Sequence, residues 1–239
     1  MKRQAKPARS GAVAAALLAA WACAGCGPKP HRPDVACYLP RPEDLTGLDR
    51  VVVAELTGDD ESGRLQRDMT QALAKAIQDR RLFHVDVVDG RDRQLRELSR
   101  QAQGPKTLKD LAALRRAFQC DALLVGSIRH FEPYPRMQIG LYLQLLDLRR
   151  GQLLWGLEHT WDTTDRATEE RIRRFFQRTM GDDYGPLDWR LAMTSPKAFQ
   201  KYVASEVAET LRVGPAPAES AAADVRWPQL GDFRKILKN

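Results

Sequence analysis

Long apolar runs are what this chain of 239 residues is shortest of. Residues 11–24 are uncharged and apolar, but these 14 residues run out against Gly27-Pro28-Lys29-Pro30, whereas a helix crossing the bilayer core takes about 20. That segment is short for a membrane-spanning anchor. Histidine is scarce as well, and His31, His84, His130 and His159 show no metal-ligand spacing with one another or with the four cysteines. There is no Gly-Xaa-Ser-Xaa-Gly nucleophile elbow, and Gly104-Pro105-Lys106-Thr107 lacks the upstream glycine of a phosphate-binding loop. These absences remove the common hydrolase, metalloenzyme and nucleotide-binding signatures, and no cofactor is expected.

What the amino terminus does carry is a layout. Lys2, Arg3, Lys6 and Arg9 precede the apolar stretch, which ends in the small residues of Cys23-Ala24-Gly25-Cys26. Basic, apolar and small in that order is the pattern of a secretory signal peptide, here residues 1–25. The last four residues resemble a lipobox, where bacterial lipoproteins receive a diacylglyceryl group on a cysteine before cleavage in front of it. Ala24 and Gly25 fill the small positions, Cys26 is the acceptor, and Cys23 stands where the family more often has Leu. Cys23 as the acceptor would put Trp21 where a small residue is favoured. The resemblance implies a membrane partner through the lipid anchor. Because Gly27 and not Asp follows Cys26, it also implies outer-membrane sorting, facing the periplasm.

Cleavage changes the charge argument. Positions 1–25 hold four basic and no acidic residues, so the formal charge of +7 falls to +3, from 34 Lys and Arg against 31 Asp and Glu. The sequence pI near 9.4 is then partly a targeting effect, and nucleic acid is not an expected partner.

Five prolines, Pro28, Pro30, Pro33, Pro40 and Pro42, punctuate residues 27–44. That spacing disfavours regular structure and reads, with Cys26, as a lipidated tether over 26–44 reaching up to roughly 50 Å if extended. The folded region is expected over 45–213, long enough for one hydrophobic core. Residues 51–56 are a short apolar run fit for a buried strand, 63–80 repeat Leu65, Met69, Leu73, Ala76 and Ile77 at helical spacing, and 82–88 supply a second strand. The opening is therefore a parallel β-α-β unit with a right-handed crossover. Two helical stretches follow, 92–102 and 107–119, the second with Thr107 and Asp110 in a capping arrangement and Leu108, Leu111, Leu114 and Phe118 on one stripe. Residues 121–131 form the next strand. Met137, Ile139, Leu141, Leu143 and Leu145 then share one strand face, and Leu153, Trp155, Leu157, His159 and Trp161 continue at period two. Short connections join these three strands into an antiparallel meander.

The phrases Asp121-Ala122-Leu123-Leu124-Val125-Gly126-Ser127-Ile128, Leu145-Leu146-Asp147-Leu148 and Gly151-Gln152-Leu153-Leu154-Trp155 resemble the periplasmic domain group that includes the curli secretion lipoprotein CsgG, the amino-terminal domain of TolB and LpoB. The resemblance covers about residues 50–162. It implies a single α/β sandwich with a mixed five-stranded sheet and packed helices, and an envelope role through protein contacts instead of catalysis. Curli-type pores insert hairpins with strands of ~9–11 alternating residues. Here only Glu132-Pro133-Tyr134-Pro135 separates Phe131 from Arg136, so a pore is not expected.

Few side chains are left for a site. Cys37 and Cys120 are the cysteines remaining in the folded part, and an oxidising compartment permits them to pair or leaves them as thiols. His159, beside Glu158 and between Trp155 and Trp161, is the one polar constellation to inspect. Asp162, Asp165, Glu169 and Glu170 cluster at a helix start, where negative charge complements the dipole. In the helix over 165–180, Ile172, Phe175, Phe176 and Thr179 share one face, and Arg171, Arg174 and Arg178 another. Residues 214–223 form a Pro-Ala linker to a tail, 224–239, whose Trp227, Phe233, Ile236 and Leu237 either pack back on the domain or bind a partner. The expectation is a lipid-anchored, non-enzymatic cell-envelope protein whose domain binds or scaffolds another envelope protein. The alternatives are a subunit of a secretion or pore assembly and an uncharacterised periplasmic enzyme.

Overall fold

The computed structural model describes residues 35–88, 107–179, 189–190 and 193–212. In chain order these form β1 (Cys37–Tyr38), a short 3-10 turn (Pro42–Leu45), β2 (Arg50–Val53), α1 (Arg64–Asp79), β3 (His84–Val87) and α2 (Leu108–Phe118). The meander β4 (Ala122–Glu132), β5 (Gln138–Asp147) and β6 (Gln152–Asp162) comes next, then α3 (Arg166–Thr179) and α4 (Pro196–Thr210). The expected helix over 92–102 lies outside the described residues. Among the described residues, no helix is long and apolar enough to cross a membrane.

One open sheet of order β1-β6-β5-β4-β2-β3 organises these elements. β2 is parallel to both β3 and β4, as the β-α-β opening requires. β4, β5 and β6 pair antiparallel as the expected meander. The expected count of five strands is corrected to six. The extra strand is β1, which pairs Cys37 with Leu157 and Tyr38 with Gly156 on β6. Two residues between prolines carry no periodicity, so pattern alone could not announce it. Val35 is 8% exposed and Leu45 fully buried, so the end of the stretch read as tether is part of the fold.

Each face of the sheet meets its own core. On one, Val51, Val53, Leu124 and the β5 row Ile139, Leu141, Leu143 and Leu145 join Trp155, Leu157 and Trp161. α1 covers them with Met69, Leu73 and Ile77, α3 with Ile172 and Phe176, and α4 with Phe199, Val203 and Val207. On the other, Val52, Ala54, Leu123 and Val125 lie under Leu111, Leu114 and Phe118 of α2. The capping box read from the sequence is present: Asp110 N–H donates to Thr107 Oγ1 at 3.3 Å and Thr107 N–H to Asp110 Oδ2 at 2.8 Å. α4 begins at Pro196, where a missing N–H costs nothing, behind a Ser195 cap. Its far end is fixed by the buried Trp155 indole, which donates to Thr210 Oγ1 at 3.0 Å. Gly126 is required by close approach, because a Cβ there would lie 2.3 Å from the Tyr142 carbonyl oxygen and 2.6 Å from Leu143 Cδ2.

The alternation along β5 generates a first test. Leu141 and Leu143 are 1% and 0% exposed, whereas Gln144 is only half-buried on the other face. Leu141→Ala or Leu143→Ala should lower the unfolding free energy by ~2–5 kcal/mol through lost burial and a residual cavity. Gln144→Ala should cost less than ~1 kcal/mol. A urea titration giving the reverse order would mean that β5 is one residue out of register.

Candidate functional site

The sheet sorts the polar residues into a buried set in the helix layer and an open set on the opposite face. Neighbours on a strand point to opposite faces, and this separates the pair singled out in the sequence. His159 lies on the helix side, half-buried and edge-on to Trp161 with ring centroids 4.7 Å apart. Glu158 is exposed on the other side, opposite Tyr142. The structure does not bring them together as an acid-base pair.

The acidic cluster resolves into local caps. Asp165 caps α3, accepting from Thr168 Oγ1 at 2.8 Å, Thr168 N–H at 3.0 Å and Ala167 N–H at 3.3 Å. The Thr168 bonds, side chain first, hold its carboxyl below the ordinary aspartate value. Burial pushes Asp162 upward, but bonds from Thr164 and Gln138 outweigh it and leave the carboxyl lowered. Among the described residues, no group of three or more His, Cys, Asp or Glu is arranged to hold a metal ion.

Both folded cysteines are free thiols. Cys37 lies on β1 and Cys120 just before β4, with β6 and β5 between those strands. Three strand spacings make ~14 Å, well beyond the ~4.4–6.8 Å between Cα atoms that a disulfide spans. They do not pair within the chain. Cys120 is buried in the second core, where desolvation and then the Asp121 charge push its thiol up to about 11. Cys37 is exposed as a residue, but its thiol is turned toward Thr210 and Arg212, and desolvation raises it more than those groups lower it. Neither has the lowered pKa of a reactive nucleophile.

The buried polar centre is one that sequence reasoning missed. Arg171, read as sharing a face with Arg174 and Arg178, is turned inward against α4. Its Nε lies 3.2 Å from Glu206 Oε2, both side chains being 6% exposed. Nε also donates to the Tyr202 hydroxyl at 3.2 Å, and Nη2 to Thr168 Oγ1 at 3.0 Å. Glu206 Oε2 accepts no well-directed hydrogen bond. Burial raises the Glu206 carboxyl, with Glu209 adding to it, against the Arg171 charge and the hydrogen bonds of Tyr202 and Arg171. Burial and the adjacent Glu206 raise Tyr202 as well. This is a charged clamp between two helices, closed to substrate.

The open set lies on β4–β6, beyond the part of that face that α2 covers. The Arg129 guanidinium stands 5.0 Å from the centroid of the Tyr142 ring, a cation–π distance. Desolvation, and then Glu158, raise the Tyr142 hydroxyl. At the β4–β5 turn Tyr134 is 83% exposed. Such a surface has the chemistry of contact: aromatic rings, amides and charges of both signs. Cys26 and the tail residues Trp227, Phe233, Ile236 and Leu237 lie outside the described residues.

No protein-family model matches the chain, and no curated protein matches it by sequence. Solved structures do show a likeness. The PelC dodecamer from Paraburkholderia phytofirmans is 12% identical, covering 76% of this chain and 98% of that one, at a TM-score of 0.46. Lipoprotein GNA1162 from Neisseria meningitidis is 13% identical, covering 55% of this chain and 98% of that one, at 0.37. E. coli LpoB is 14% identical, covering 67% and 79%, at 0.34. These likenesses are too distant to assign a function.

The clamp generates a second test. A glutamate whose folded pKa lies above its unfolded value of 4.5 favours the fold while protonated, and that contribution is lost as pH rises from 4.5 through the raised value. Removing Arg171 strands the carboxylate once it ionises. Arg171→Ala should therefore cost about 3–5 kcal/mol at pH 7 and distinctly less at pH 4, by denaturant unfolding at both. Equal losses would reduce the pair's role to packing.

Proposed function

We propose that this protein is a lipid-anchored cell-envelope module, acylated at Cys26, that works by binding another envelope protein and not by catalysis. The observation that carries the reading is the amino-terminal series: four basic residues, an apolar stretch too short to span a bilayer, and Cys23-Ala24-Gly25-Cys26. The domain beyond the tether supports it. Among the described residues Asp165 caps α3, Arg171 and Glu206 clamp α3 to α4, and part of one sheet face is polar, with Arg129, Tyr142 and Glu158 on it. Outer-membrane placement and kinship with the curli-secretion and TolB domains belong to the same proposal.

Metabolic labelling with a fatty-acid probe tests the anchor. The native chain should incorporate label and Cys26→Ser should lose it. Label that persists in Cys26→Ser and disappears in Cys23→Ser would move the acceptor to Cys23, and no label in the native chain would end the lipoprotein reading.

The tail is assigned to the partner. Phe233, Ile236 and Leu237 stand at i, i+3 and i+4, a spacing that would share one face of a helix, and nine residues are too few for such a helix to be stable alone in water. Deleting residues 224–239 should leave the melting temperature unchanged and abolish copurification of the partner. A lowered melting temperature would instead show that the tail packs on its own domain.

A further inference from the structure

Among the described residues the sheet ends at β3, which pairs only with β2. His84 N–H donates to the Asp49 carbonyl and Val88 N–H to the Val53 carbonyl, so the even-numbered residues turn their backbone groups toward β2. Val85 and Val87 therefore turn theirs outward, since successive residues of a strand direct N–H and C=O to alternate sides. An outward row of this kind recruits a strand from another chain unless it is covered or charged. Val87 is 43% exposed, one of two large hydrophobic residues exposed among the described residues.

Gln78 stands against that edge. It lies in the last turn of α1 and is itself exposed, and its Oε1 accepts the Val85 N–H at 2.8 Å. The end of α1 does not need this amide, because the helix closes through backbone bonds: Arg80 N–H donates to the Ile77 carbonyl at 3.1 Å and Arg81 N–H to the Gln78 carbonyl at 3.0 Å. With the Val85 N–H taken, an incoming strand has lost a backbone donor at the middle of the edge.

The edge is also complementary to itself. His84 Nε2 and Asp86 Oδ1 lie 3.4 Å apart on one face, and Arg50 Nε meets Asp86 Oδ2 at 2.6 Å. Two β3 strands laid antiparallel about a two-fold axis at Val85 would exchange both Val85 backbone bonds. The same register sets each His84 directly opposite Asp86 of the second copy. Directly opposite residues share a face and have the closest side chains, so a donor–acceptor pair already compatible within one chain is repeated between two. A patch that matches itself in this way is what a closed two-fold dimer requires.

We propose that β3 is a docking edge for β3 of a second copy of this chain, and that Gln78 holds it shut. Strand addition at a sheet edge draws its affinity from main-chain hydrogen bonds, and the guard removes one of the donors that would supply them. Neither the lipid anchor nor the partner assigned to the tail enters this proposal.

Sedimentation velocity of the full chain in a nonionic detergent, with parent and variants at matched concentrations, tests it. Gln78→Ala frees the Val85 N–H and should double the parent's mass as concentration is raised. Gln78→Glu keeps an acceptor and should sediment as the parent does. At a dilution where Gln78→Ala is unpaired, hydrogen exchange at the Val85 amide should run roughly threefold to tenfold faster than in the parent, the loss of one hydrogen bond. In the Gln78→Ala background, His84→Asp places like charges opposite each other and should restore the parent's mass, while His84→Lys should keep it doubled. The melting temperature of each variant checks that it is folded. A folded Gln78→Ala chain with the parent's mass would overturn the proposal, as would open-ended aggregation or a doubled mass that His84→Asp leaves intact.

Discussion

One row of side chains on β5, Ile139, Leu141, Leu143 and Leu145, sets the demand that the helix layer answers. All four are at most 1% exposed, and each fully buried aliphatic side chain is worth ~1.5–3 kcal/mol relative to exposure. β5 lies between β4 and β6, so the row can be hidden only from above. α4 is the element that makes this cover continuous, with Phe199, Tyr202, Val203 and Val207 all fully buried. It is held at its end by the bond from Trp155 to Thr210. A chain that failed to place α4 would leave the centre of its sheet in water.

The charged clamp is a consequence of that cover. Once α4 lies over the sheet, α3 has to dock beside it, and Ile172, Phe176 and Phe175 supply the apolar contact. Arg171 is drawn in on the same flank, and burying it alone would cost several kcal/mol; Glu206, Tyr202 and Thr168 are placed to receive it. The arrangement is conditionally stable, since the carboxylate sits where burial disfavours its charge. Its benefit over apolar packing is orientation, because a guanidinium held by three partners fixes how α3 is rotated. That rotation decides which arginines face outward.

Much of this was legible in the sequence, and the failures have physical causes. The helix over Arg64–Asp79 was announced by a 3.6-residue period and β5 by a period of two. The cap at Thr107 was announced by Asp110 three residues later. β1 was invisible because two residues carry no period. Burial of Arg171 was invisible because its reason, Glu206, lies 35 positions away on a helix that had not been placed. Strand alternation already separates Glu158 from His159, so that signal was present in the sequence and only needed to be applied. The distance between Cys37 and Cys120 was beyond any spacing argument, because it depends on the order of strands in the sheet.

The two-residue strand has consequences out of proportion to its length. Counted from composition alone, the tether runs through residue 44 and frees the domain to roam tens of ångströms from its anchor. Pairing of Cys37 and Tyr38 with β6, together with burial of Val35 and Leu45, takes at least ten residues of that length into the fold. Were Cys26 acylated as proposed, a shorter tether would raise the effective concentration of the domain at the anchoring membrane, because a linker concentrates its ends more strongly as it shortens toward the span it must cross. The edge strand that completes the sheet therefore also sets how far the domain could stand from an anchor at Cys26, if acylated as proposed.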